Sequence, residues 1–137
     1  MSIGNTFQNG SVAVPGKARK VWREIRHQWP AGGKVVNVSA WYGGIIPAGT
    51  PCKYDGATKE VTCYTDDAIT GASSIATLGI NGYTQEDIDC RAINASAPGI
   101  ATATVIYDGE IYDFMFDSAV LAKLKTVTTC PQVIFVH

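Results

Sequence analysis

The stretch Gly43-Gly44-Ile45-Ile46-Pro47-Ala48-Gly49-Thr50-Pro51-Cys52-Lys53-Tyr54-Asp55-Gly56 constrains this chain more than any other. Gly43-Gly44 opens backbone angles that bulkier residues avoid. Pro47 and Pro51 fix their own φ and push the preceding residues toward extended geometry. Ile45 and Ile46 supply an apolar anchor ahead of this bridge. Pro51–Tyr54, a turn at Asp55-Gly56-Ala57-Thr58 and Lys59–Tyr64 then read as a β-hairpin. These are scaffold residues with no catalytic pattern among them. They point to a small β protein that acts by fitting against something.

The chain has 137 residues, which makes one domain the default, with room for an extended arm. Its hydrophobic fraction of 46% supplies a core, while a charged fraction of 17% falls short of the usual quarter. A surface poor in charge fits contact with partners and equally fits one of Thr, Ser, Asn and Ala. The net charge of −1 gives the chain as a whole no bias toward nucleic acid or acidic membrane. No apolar run approaches the roughly 18 residues that span a membrane. Met1–Thr6 lacks the basic start and apolar stretch of a secretory signal, so folding in a cytosol is expected.

Residues 1–16 carry Gly4, Gly10, Pro15 and Gly16 and few apolar side chains, a composition that suits an extended arm or a frayed terminus. Lys17–Trp29 is the strongly biased segment, holding five of the eleven basic residues: Lys17, Arg19, Lys20, Arg23 and Arg26. Val21, Ile25 and Trp29 step by four, as on an amphipathic helix. Val21, Arg23, Ile25 and His27 also alternate, as on a strand. A run this short leaves helix and strand open. The segment reads as a basic arm for an acidic protein surface or nucleic acid, or as a solvated charged face.

Further along, Lys34–Trp41 is β-rich, Thr65–Ser74 reads as a loop, and Ile75–Ile80 as a short strand ending in an Asn81-Gly82 turn. Thr84 and Asp87 are spaced to cap one helical turn. Ile100–Tyr107 alternates as a strand, and Asp108-Gly109 reads as a turn into a second strand, Glu110–Phe116. Asp117 suits the N-cap of a short helix, Ser118–Lys125, with Val120, Leu121 and Leu124 inward. Val133–His137 closes as a strand. The expected fold is mainly β: a compact small barrel-like or sandwich-like domain with one short C-terminal helix and an extended N-terminal arm. The division is residues 1–33 as the basic arm and 34–137 as the β-rich domain.

Chemistry is sparsely provided for. His27 and His137 sit in no nucleophile motif, and the cysteines Cys52, Cys63, Cys90 and Cys130 form no CxxC pair. Cys52 and Cys63 fall nearly opposite in the hairpin, so a disulfide is conceivable there, although a reducing compartment favours buried thiols. The acids at Asp66-Asp67, Glu86-Asp87-Asp89 and Asp108–Asp117 read as solvated loop carboxylates. No phosphate-cradling glycine motif is present. The expectation is a protein that is not an enzyme and carries no metal or cofactor. The alternative is a small nucleic-acid-binding module using residues 17–29.

Ile45-Ile46-Pro47-Ala48-Gly49-Thr50-Pro51 with Lys53-Tyr54-Asp55-Gly56 resembles the AGTPL…D element of tailed-phage capsid decoration and head fibre proteins. Leu78-Gly79-Ile80-Asn81-Gly82-Tyr83 resembles the strand that follows it in these families. Val105–Tyr112 resembles their V…GEIY strand, and a short helix and last strand complete the order over roughly residues 34–137. The resemblance implies the β domain of the lambda-type head-stabilising protein, a trimer on the outside of a virion shell. The protein would be made in the host cytoplasm. Its partners would be the major capsid protein and a head fibre protein, with no membrane involved. Within that picture Phe7, Lys20, Trp22, Arg23, Arg26 and Trp29 are the expected capsid-facing arm residues. Ile45, Ile46 and Pro47 are the expected subunit contact. The basic segment with its two tryptophans departs from the family pattern.

Overall fold

A computed structural model of the chain describes residues 21–137. The fold is mainly β, with strands arranged in a curled half-barrel sheet. The strands are β1 (Trp22–Gln28), β2 (Gly33–Val35), β3 (Ile45–Ile46), β4 (Pro51–Asp55), β5 (Glu60–Cys63), β6 (Gly82–Thr84), β7 (Ile88–Asp89), β8 (Thr102–Ala103), β9 (Val105–Tyr112) and β10 (Val133–Val136). Two short α-helices, α1 (Asp66–Thr70) and α2 (Ser118–Leu124), occur among the described residues, one more than expected. The main sheet runs β1-β9-β6-β4-β5-β2-β8, with β10 beside β9 off that path, while β3 and β7 form a separate two-stranded ribbon.

Within the basic segment Lys17–Trp29, residues Trp22–Gln28 form a strand and not a helix. β1 lies antiparallel along β9, from Trp22 opposite Ile111 to Gln28 opposite Ile106. The arm boundary expected at residue 33 therefore falls too late, since β1 is part of the sheet. The hairpin forms as expected: β4 pairs with β5 from Cys52 opposite Cys63 to Asp55 opposite Glu60. Its turn falls one residue later than expected, with Lys59 at φ 60° and its N–H bonded to the Asp55 carbonyl at 2.7 Å. Asp55 Oδ1 accepts from Ala57 N at 2.9 Å and steadies the turn.

The expected turn at Asp108-Gly109 does not form. β9 passes straight through both residues. Gly109 serves close approach: a Cβ there would lie 2.5 Å from the Glu24 carbonyl oxygen and 3.4 Å from the Ile25 Cα. The missing side chain lets β1 press against β9. Tertiary packing also overrode local pattern elsewhere. Thr65–Ser74 contains α1, whose first turn is capped by the Thr65 hydroxyl accepting from Ala68 N at 3.2 Å. Ile75–Leu78 is a 3₁₀ turn and no strand, and the β character of Lys34–Trp41 ends at Val35 before a 3₁₀ turn at Val38–Trp41. Thr84 ends β6 and caps no helix.

The C-terminal reading holds. Asp117 caps α2 by accepting from Ala119 N, and Val120 and Leu124 are buried while Leu121 is half-buried. α2 carries the chain from β9 to β10, which runs parallel to β9 from Val133 opposite Gly109 to Val136 opposite Tyr112. Two apolar clusters flank the central strands. One holds Trp22, Ile69, Tyr83, Ile106, Ile111, Val120 and Leu124. The other holds Val35, Ile46, Cys52, Tyr54, Val61, Cys63, Cys90 and Val105. Adjacent residues Val105 and Ile106 belong to opposite clusters and are both fully buried, so β9 has core on each face where it begins.

Candidate interaction surface

The expected site residues separate into three groups. Arg23 and Arg26 lie on the exposed side of β1, three positions apart, a spacing that would put them on opposite faces of a regular strand. The β1–β9 register shifts between Trp22 and Glu24 and again between Ile25 and His27. These irregularities bring both guanidinium groups to one pair of carboxylates. Arg23 Nη1 donates to Glu110 Oε1 at 2.9 Å, and Arg26 Nε donates to Asp108 Oδ1 at 3.0 Å. Arg26 also reaches Glu24 at 2.9 Å and Glu110 at 3.6 Å, and His27 Nδ1 donates to Asp108 Oδ2 at 2.7 Å. Two guanidinium groups thus meet three carboxylates inside one domain. Arg23 and Arg26, expected to seek an acidic partner, are paired with their own chain.

Electrostatics follows the pairing. The His27 hydrogen bond, joined by Arg26, holds the Asp108 carboxyl below its ordinary value. Glu24 and then Asp108 raise Arg26. A carboxyl lowered in the folded state stabilises the fold above the ordinary carboxylate range. That contribution disappears as pH falls through the lowered value. An NMR pH titration of the Asp108 carboxyl carbon is expected to show a midpoint below that of a model peptide. A midpoint at or above the peptide value would mean that the ladder does not persist in solution.

The tryptophans divide. Trp22 is only 7% exposed, and its indole Nε1 donates to the Thr84 carbonyl at 3.0 Å. It is a core residue and not the adhesive anchor expected, because β1 turns its first side chain inward. Trp29 is half-buried, stacked on Tyr54 with ring centroids 5.1 Å apart and tilted against Tyr107 at 4.7 Å. Its Nε1 has no hydrogen-bond partner. Phe7 and Lys20 lie outside the described residues.

Ile45, Ile46 and Pro47 do not present one apolar contact. Ile46 is fully buried, which rules it out as a subunit contact, while Ile45 is half-buried and Pro47 exposed. The segment is instead a hydrogen-bonded hub centred on buried Thr84. The Thr84 hydroxyl donates to the Pro47 carbonyl at 3.0 Å and accepts from Thr50 N at 3.0 Å. The Thr84 carbonyl accepts from Gly49 N at 2.7 Å as well as from Trp22. Asp87 Oδ1 accepts from Ala48 N at 2.7 Å. Gly49, at φ 82°, has Val21, Ile111 and Met115 where a Cβ would stand. The Pro-Ala-Gly-Thr stretch therefore joins the amino-terminal strand to the rest of the sheet.

Sequence reasoning missed Asp108 and Glu110 as partners of the basic segment. Their spacing of two, on one strand face, opposite a strand bearing Arg23 and Arg26, was the available pattern; reading Asp108-Gly109 as a turn concealed it. It also missed Thr84, which carries no pattern of its own. No group of three or more His, Cys, Asp or Glu able to hold a metal occurs among the described residues, and no helix there is long and apolar enough to cross a membrane. No protein-family profile matches the chain, and no curated protein matches it.

Proposed function

We propose that this protein is an auxiliary capsid protein of a tailed phage, a β domain that attaches to the outer face of an assembled shell and reinforces it or anchors a fibre. The observation that carries this reading is the hub at Pro47–Thr50. The same residues that resemble the decoration-protein element tie the N-terminal strand to the sheet through Thr84 and Trp22. A body knit in this way transmits load from an amino-terminal attachment into the whole domain. Many weak contacts of identical copies around a shell add by multivalency. The major capsid protein is the proposed partner, and a trimer the proposed arrangement on the shell. The pairing of Arg23 and Arg26 with carboxylates of their own chain favours this reading over a nucleic-acid role for β1.

Co-sedimentation with empty expanded shells of the major capsid protein tests this. The full chain is expected to pellet at a fixed ratio per shell. Absence of pelleting would refute the proposal. Truncation should stop before Val21, because cutting at Trp29 would remove a sheet strand. Equal binding by the truncated chain would move attachment from residues 1–20 to the folded body.

A further inference from the structure

Cys52 and Cys63 face each other across β4 and β5. Tyr64 N donates to the Pro51 carbonyl at 3.0 Å, a bond between the residues flanking the pair. The backbone of Cys63 turns the other way: its N–H donates to Asn37 Oδ1 at 3.0 Å, and its carbonyl accepts from Asn37 Nδ2 at 2.6 Å and from Trp41 Nε1 at 3.2 Å. The Cys52 carbonyl accepts from Asn81 N at 3.1 Å. The two cysteines are therefore a non-hydrogen-bonded pair, the closer kind, with Cα atoms typically about 4.5 Å apart. That lies within the window of about 4.4–6.8 Å that a disulfide tolerates. Both side chains are fully buried on the same face of the hairpin, within one cluster. All four cysteines are free thiols here.

We propose that Cys52 and Cys63 form a built site for an intramolecular disulfide, closed by a small-molecule disulfide such as oxidised glutathione. One thiolate attacks a glutathione sulfur, forming a mixed disulfide and releasing one glutathione. The second thiol gives up its proton and attacks the protein sulfur of the mixed disulfide, releasing the second glutathione. Two protein thiols are oxidised and one glutathione disulfide is reduced to two thiols, so electrons and protons balance. Burial supplies the control. It raises the Cys52 thiol well above its ordinary value and keeps the oxidant out, so the pair stays reduced until the hairpin opens. Once closed, the bond ties β5 to β4, the strand into which the hub segment runs. Cys130 belongs to the opposite cluster, and Cys90 lies on the segment following β7, out of this register.

The test is to hold the full chain with oxidised glutathione at a urea concentration below the unfolding transition, block free thiols with iodoacetamide and measure the intact mass. A loss of about 2 Da, with two cysteines blocked, is expected. Digestion after lysine and arginine and before aspartate separates all four cysteines, and the cross-linked fragment should contain Cys52 and Cys63. The rate should rise with urea and fall to near zero without it. Cys63→Ser should abolish the mass loss, while Cys90→Ser should keep it. A linkage through Cys90 or Cys130, stable glutathione adducts without the internal bond, or persistence of the mass loss in Cys63→Ser would each overturn the proposal. Circular dichroism of each variant identifies any that fails to fold. For such a variant, the fragment linkage in the unmodified chain decides alone.

Discussion

Gly82→Ala is expected to lower the thermal midpoint by about 10 °C, from a stability loss of about 3 kcal/mol. Gly82 sits on β6 between β4 and β9, opposite Cys52. A Cβ there would stand 2.3 Å from Val105 Cγ1 and 2.9 Å from the Ile106 carbonyl oxygen. Neither can yield cheaply. Val105 is fully buried on the central strand, and the other obstacle is backbone. Relief would require moving β6 away from β9, which would pull Tyr83 and Thr84 out of register with Ile106 and Val105. Gly56→Ala is the control, since nothing lies within 4 Å of its added carbon. Thermal unfolding followed by circular dichroism reads both. A Gly82→Ala shift no larger than that of Gly56→Ala would show that the strands tolerate separation and that the central packing is looser than described.

Trp22→Ala is expected to cost about 4 kcal/mol, in the range for deleting a large buried aromatic side chain. The indole packs beside Gly109 and bonds the Thr84 carbonyl, so its loss opens a cavity between β1 and the hub. Trp22→Phe keeps part of the ring volume but loses the rest together with the donor. The Thr84 carbonyl still accepts from Gly49, so the lost bond and the smaller cavity together are expected to cost about 2 kcal/mol. Trp29→Phe should cost little or even stabilise, because it keeps an aromatic ring against Tyr54 and removes an indole N–H that has no partner. Guanidinium unfolding curves order the three variants. If Trp22→Ala left stability unchanged but abolished shell binding, Trp22 would be an adhesive anchor after all and the core assignment would fail.

Both experiments bear on how a decoration role would work. A strand at the sheet edge with exposed charges invites the view that it is the sticky part. The ladder formed by Arg23, Arg26, Glu24, Asp108 and Glu110 argues otherwise. Charges and irregular register also discourage edge-to-edge association of β1. On the proposed reading, adhesion then falls to residues outside this ladder, and the described body supplies rigidity.

Much of the molecule could be read in advance where the local pattern was complete. The hairpin Pro51–Cys63 carries its own turn chemistry at Asp55-Gly56, Asp117 carries its own cap, and Val133–Val136 follows a proline with an unbroken apolar run. For the hairpin and the cap the deciding interactions lie within a few residues, so sequence alone determined them; the last strand announced itself by its apolar run, while its place beside β9 came from long-range pairing. The choice of strand over helix for residues 22–28 depended on β9, about eighty positions away. Asp108-Gly109 has the composition of a turn, yet it became mid-strand because β1 needed the space that Gly109 leaves and the cations of β1 needed the Asp108 carboxylate. Thr84 became the centre of the hub only because two distant segments reach it, the Trp22 indole from β1 and backbone groups of Pro47–Thr50. Only the assembled sheet could decide these, since backbone hydrogen bonds and charges are satisfied by whichever neighbour the fold delivers, and local sequence does not name that neighbour.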